Sequence, residues 1–378
     1  MRDRRAWTVC IFCSVGVLGA FLQLRGALLP SFGESFAVSE GELGLIASAA
    51  SAGTLVSVSA VGTAVSRIDV GRMLVVAGVG FVALLVALAF APTYAVLLAG
   101  FGAAGLAQGS LHALDRPLLS HLYPDRRGRI YNLQDMAWAV GATLGPLLAT
   151  AALVVRGWRL AFLVLACAFV PVVAAFGRLE APGFETEEAL APRELASLLR
   201  TPTVGTMALL LVLLSLVEGG IFTWLPYYVG ESLPRSVANL SLSLYLAAYV
   251  PGRYAFSRAT ERVDEIALVF ASAALATAAL VGFLSTSGYA MLGAVAVVGF
   301  LVAGMFPTLL AWATDHVPEY SGPVNAVAFV ASGAGFAVFP AAMGGVAGRY
   351  TIGAAMALLA AAMAVFALVA AAVVLQDR

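Results

Sequence analysis

The chain has 378 residues, 61% of them hydrophobic and 11% charged, against roughly 45–50% apolar and about 25% charged in soluble domains. That balance excludes a water-soluble globule and points to a polytopic membrane protein whose surface faces lipid. Charge excludes more: 21 basic and 21 acidic residues cancel, which leaves no basic excess for a nucleic-acid partner, and the absence of lysine removes phosphate-loop, Schiff-base and pyridoxal chemistry.

Arg2, Arg4 and Arg5 precede an apolar run from Ala6 to Leu24, too long for the core of a signal peptide and read as a retained first span. Cys10, Cys13 and Cys167 sit in apolar runs and imply no disulfide framework. Without a second cysteine pair or a nearby histidine, Cys10 and Cys13 are packing residues rather than a metal site. No metal and no cofactor are expected.

A bilayer core takes about 20 helical residues per crossing. Apolar runs between charged or Pro/Gly punctuation predict twelve spans, at 6–30, 41–65, 71–91, 94–119, 130–153, 158–177, 204–229, 238–257, 266–286, 288–313, 324–347 and 351–375. With the N-terminus inside, 14 of the 21 arginines fall on the inner side, 4 on the outer side, and Arg25, Arg116 and Arg253 within spans. The positive-inside rule then places both termini in the cytoplasm of a cell carrying this protein in its plasma membrane.

Leu179 to Thr203 is the long polar stretch between spans and straddles the chain midpoint. It divides a six-helix bundle at 1–178 from a second at 204–378, with 179–203 as a cytoplasmic linker. Within it, Pro192 to Arg200 fits either a short helix on the membrane surface or a solvated linker.

The halves repeat weakly. Leu29-Pro30 with Gly33-Glu34-Ser35 recurs as Leu225-Pro226 with Gly230-Glu231-Ser232. An offset of 194 carries Pro124 to Pro318, Gly128 to Gly322, Gly141 to Gly335 and Pro146 to Pro340. An even number of spans per half makes the repeats parallel, as in transporters built from repeated bundles.

Spans 3, 6, 9 and 12 are almost purely aliphatic and are expected to face lipid. Ionisable groups gather instead in span 1 (Arg25), span 4 (His112, Asp115, Arg116), span 5 (Asp135) and span 7 (Glu218). A charge in hydrocarbon costs about 2.5–3.5 kcal/mol even on the lenient insertion scale, so these groups should face a central aqueous cavity or each other.

At this point a resemblance becomes specific. The twelve-span plan with a central loop resembles the major facilitator superfamily. Between spans 2 and 3, Gly62, Arg67, Asp69, Gly71 and Arg72 are similar to that family's glycine, acid, basic signature, with Ser66 where the acid usually stands and Asp69 as its substitute. The second-half counterpart is Gly252-Arg253 with Arg258. Glu218-Gly219 and Trp224 to Tyr227 in span 7, and Phe306 to Leu310 in span 10, resemble the fucose and glucose/galactose permease branch. Gly141-x-x-x-Gly145-Pro146 partly resembles drug/proton antiporters. The resemblance implies two pseudo-symmetric six-helix bundles, a secondary active transporter working by alternating access, and a role in conformational switching for the two loops.

Individual residues admit competing readings. Arg25 lies about 7–8 Å along the helix from Pro30, where it either holds an anionic solute by its planar fork or snorkels to the outer interface. Gln23 joins it as a polar residue of span 1. Glu218, about 12 Å inward of Pro226, suits proton coupling or is bonded to Ser or Tyr neighbours.

Arg116 and Asp135 lie at matched depths and are expected to neutralise each other. His112 and Asp115, at i and i+3, remain as a proton path. Trp224, Tyr227 and Tyr228 either stack a sugar or aromatic solute or sit in an interfacial aromatic belt. An intramembrane hydrolase built on Ser110 and His112 is disfavoured, because residues two apart on a helix point in different directions.

The expected function is proton-coupled movement of a small polar or anionic organic solute by a monomer in the lipid bilayer. Efflux of amphiphilic compounds by a drug/proton antiporter is the alternative.

Overall fold

The computed structural model describes residues 2–64, 68–180, 197–317 and 320–376, and among these there are helices and turns but no strand. A chain in lipid must satisfy its backbone within each span, and an apolar sequence of bilayer length does so only as a helix. The spans form as α1 (Arg2–Phe36), α2 (Glu40–Ala64), α3 (Val70–Ala89), α4 (Tyr94–Leu122), α5 (Arg127–Val155) and α6 (Arg159–Phe176) in the first half. The second half comprises α7 (Pro202–Gly230), α8 (Arg235–Ala247), α9 (Tyr249–Ala259), α10 (Glu265–Leu284), α11 (Ala290–Val302), α12 (Met305–His316), α13 (Ser321–Arg349) and α14 (Ile352–Gln376).

Side-chain caps set several starts. Asp69 accepts from the Arg72 amide at 3.0 Å before α3, and Asp264 accepts from the Ala267 amide at 2.9 Å before α10, each satisfying a backbone donor that the first helical turn leaves open.

Eleven helical segments among the described residues are long and apolar enough to cross a membrane. Span 8, the least apolar, is not among them; it consists of two pieces, α8 of 13 and α9 of 11 residues, meeting at Ala248. Pro251 has no N–H for the carbonyl of Ala247, four residues back. Span 10 is divided in the same way at Ala303 and Gly304, and Pro307 lacks the N–H that Ala303 would receive. Pro30, Pro117, Pro146, Pro171, Pro226 and Pro340 lie inside helices that continue.

The chain divides into two compact units, Met1–Val38 with Leu45–Ala189, and Ser39–Gly44 with Leu190–Arg378. In the first, α1 and α5 meet backbone to backbone: a methyl group on Gly145 would stand 2.5 Å from the Ala20 carbonyl oxygen, and one on Gly141 would overlap that of Gly16. On α4, Gly105 and Gly109 make equally close approaches to the carbonyls of Ala50 and Thr54 on α2. Small residues permit this approach where lipid offers no hydrophobic drive. Behind it, Phe21, Phe32, Phe81, Phe101, Trp158 and Phe162 form a ring cluster between α1, α3, α4 and α6, with Phe32 and Trp158 edge to face at 5.1 Å.

In the second unit α7 packs on α13 and α14, and α8 and α9 pack on α11. Gly299 fits beneath the Tyr245 carbonyl and Gly252 beneath that of Phe300. The aliphatic spans pair with one another, α3 with α6 in the first unit and α10 with α14 in the second. The first turn of α2 belongs to the second unit: a methyl on Gly44 would stand 2.5 Å from the Pro340 carbonyl, and one on Gly344 would stand 2.5 Å from that of Glu40.

Candidate functional site

In the first unit, Arg25 is buried, and its donors turn to backbone carbonyls: Nε to Leu22 at 3.0 Å and Nη1 to Ala47 of α2 at 3.3 Å. It does not reach outward to an interface. Among the described residues no carboxylate stands within ion-pair distance of it. Two residues earlier, Gln23 is fully buried, and neither its amide nitrogen nor its oxygen has a hydrogen-bond partner. Unpaired polar atoms in so dry a place are costly.

On α4, His112 Nδ1 and Asp115 Oδ2 lie 2.9 Å apart across one helical turn. The other Asp115 oxygen is buried without a partner. One residue on, Arg116 donates from Nη2 to Asp135 Oδ1 of α5 at 3.1 Å and lies 5.5 Å over the Tyr131 ring. The structure thus brings the four span 4 and 5 residues into two adjacent pairs.

In the second unit, Glu218 of α7 accepts a 2.5 Å hydrogen bond from the Tyr249 hydroxyl, and the Tyr249 and Tyr245 hydroxyls lie 3.0 Å apart. Arg253, one turn beyond Tyr249, places its guanidinium 5.8 Å from that ring. Tyr245 and Tyr249 were not singled out from sequence. Their i, i+4 spacing in the span that also carries Arg253 was the available signal, since a mid-membrane carboxylate needs donors.

Trp224 is fully buried and donates from Nε1 to the Pro340 carbonyl at 3.1 Å. Its ring is enclosed in the protein and its N–H holds α13. Tyr227 meets its ring at 5.6 Å and donates its hydroxyl to Glu40 Oε1 at 3.0 Å. Close by, burial pushes the Glu231 carboxyl above the usual carboxylate range, and the charge of Glu40 adds to it.

The expected loop residues are mostly helical. Gly62 lies in the last turn of α2, Gly71 and Arg72 in the first turn of α3, and Gly252, Arg253 and Arg258 in α9. Only Asp69 stands outside, as a cap. Gly252 and Arg253 fall inside span 8, as the expected bounds of 238–257 already placed them, and the helix runs on to Ala259. Arg258 makes an exposed pair with Glu261 at 3.3 Å. Arg67 lies outside the described residues.

The profile of the Major Facilitator Superfamily matches residues 10–234 and 207–378, which together cover nearly all of the chain. The chain belongs to the major facilitator superfamily. As a member of that superfamily it is a secondary transporter and not an enzyme, and its small-molecule substrate crosses a membrane through an all-α, twelve-span fold.

Solved structures agree on that fold. A bacterial homolog of the human lysosomal transporter Spinster, in an inward-facing and occupied conformation, superposes with a TM-score of 0.83 at 14% identity, covering 98% of this chain and 97% of that one. A variant of the nucleoside transporter NupG gives 0.84 at 10% identity, over 98% and 99%. The E. coli fucose:proton symporter FucP gives 0.66 at 17% identity, over 95% and 97%. No curated protein matches the chain.

Proposed function

We propose that this major facilitator protein moves a small anionic or polar organic solute by alternating access, with protons as the coupling ion. The observation that carries the reading is the buried guanidinium of Arg25, which is solvated by two carbonyls and left without a carboxylate among the described residues. A buried positive charge without a counter-ion favours an anion that brings one. Gln23, with both amide atoms unpaired, is the second residue assigned to the solute.

Glu218 and the His112–Asp115 pair are assigned to the proton. Arg116 and Asp135 are structural, and Trp224 and Tyr227 frame the outer end of α7. Residues 1–178 and 204–378 are the two working bundles, and 179–203 is their cytoplasmic linker. The arginine distribution supports cytoplasmic termini in a plasma-membrane monomer.

Thermal shifts of the purified protein against sugars, monocarboxylates, dicarboxylates, phosphate esters and lipophilic cations test the reading, since a ligand stabilises the state it binds. Carboxylate or phosphate-ester hits that vanish in Arg25→Ala are expected. Sugar or lipophilic-cation hits that survive that substitution overturn the anion assignment, and cation hits favour export of amphiphilic compounds.

A further inference from the structure

The second unit holds a cation that the proton assignment of Glu218 leaves unused. Arg253 follows Tyr249 by four residues on α9, so the two share one helical face. Its Nε is buried with no hydrogen-bond partner, and it lies within coulombic reach of Glu218. The carboxylate itself is held by the Tyr249 hydroxyl, which is linked in turn to that of Tyr245. These two tyrosines straddle the interruption at Ala248.

A neutral hydroxyl can serve either protonation state of a carboxyl group, because it both donates and accepts. A guanidinium has five donors and no acceptor, so it favours only the ionised state. Tyr249 and Arg253 are therefore different kinds of partner for one carboxyl group.

We propose that Arg253 is the counter-charge that receives the Glu218 carboxylate once its proton has left, which makes Arg253 a positioning residue for proton release. This rests on the reading of Glu218 as the proton carrier. The other charged or titratable groups on the elements packed around α7 lie at helix ends: Arg235 on α8, Arg258 on α9, Asp315 and His316 on α12, and Arg349 on α13. Tyr254 on α9 is exposed, and α14 carries no ionisable side chain.

Infrared spectra of the lipid-reconstituted full chain, recorded across pH, test this without a solute. A protonated-carboxyl band absent from Glu218→Gln identifies the group. In Arg253→Gln that band is expected to persist to a pH higher by at least about one unit, a tenfold change in proton concentration. Arg253→Lys, which keeps the charge, should return it close to the unsubstituted position, whereas loss of a merely structural contact would not be rescued by charge.

An unchanged titration in Arg253→Gln overturns the proposal and leaves Glu218 as the carrier. Identical spectra for Glu218→Gln and the unsubstituted protein overturn the carrier assignment itself. Should Arg253→Gln fail to fold, the double variant Glu218→Gln/Arg253→Gln decides. Recovery of folded protein supports the charge pairing, and continued failure overturns it.

Discussion

Spans 4 and 5 meet in the first unit and their counterparts, spans 10 and 11, meet in the second, but through different chemistry. In the first unit α4 and α5 are joined at Arg116 and Asp135 by an ion pair at 3.1 Å. The counterparts of His112 and Asp135 are Phe306 and Phe329, whose rings meet at 6.1 Å. The same helix contact is thus polar in one unit and aromatic in the other. The ionisable groups of the second unit gather instead where α7 meets span 8, around Glu218. The repeat preserves which spans touch, while the chemistry of each contact is free to change.

The close-packed glycines give the strongest way to break this comparison. A methyl on Gly141 overlaps the Gly16 carbonyl, whereas one on its counterpart Gly335 stands 2.8 Å from Ser215 Cβ and the Val212 carbonyl. Gly141→Ala is expected to cost about 3 kcal/mol and Gly335→Ala about 1–2 kcal/mol, within the range for overpacking. Thermal melts in detergent would show it, and an equal loss in both would mean that the two contacts have the same slack.

Next in size is the ion pair. Arg116→Leu alone leaves Asp135 without this partner and should cost about 1–3 kcal/mol. The double variant Arg116→Leu/Asp135→Leu, which imitates the apolar second unit, should return to within about 1 kcal/mol of the starting protein. A double variant no better than the single one would show that the first unit needs the charges for more than joining two helices.

The smallest effect concerns the C-terminal end of α7. The Glu231 carboxyl is raised above its ordinary range by burial and by Glu40, so protonation favours the folded arrangement. Its contribution is present below the ordinary carboxylate range and is lost as pH rises through the raised value. The group is largely exposed, so the shift in melting temperature should be about 1 °C or less. Glu231→Gln should abolish that slope, and a slope that survives would point to another acid.

The spans were legible because lipid leaves so few options for backbone. Matched depth likewise sufficed for Arg116 and Asp135, since two opposite charges on adjacent spans have little else to face. Depth was not enough for Glu218, whose donors come from span 8, and no periodicity in span 7 reveals them. The interruption at Ala248 was equally hidden: Pro251 interrupts its span while Pro146 and Pro340 do not. Position alone also left Trp224 with two readings, and neither its burial nor its hydrogen bond to Pro340 on another helix was legible in the sequence. The first turn of α2, assigned by order to the first half, is counted in the second unit through contacts such as that of Tyr227 with Glu40.

The interruptions at Ala248 and at Ala303 and Gly304 have a mechanical meaning. A continuous helix resists bending along its length, but a helix divided near its middle behaves as two short levers on a common pivot. Both pivots belong to the second unit, and α11 rests against both α8 and α9. A change of shape near Glu218 would therefore be expected to bend the second unit at these joints before it bends an unbroken span.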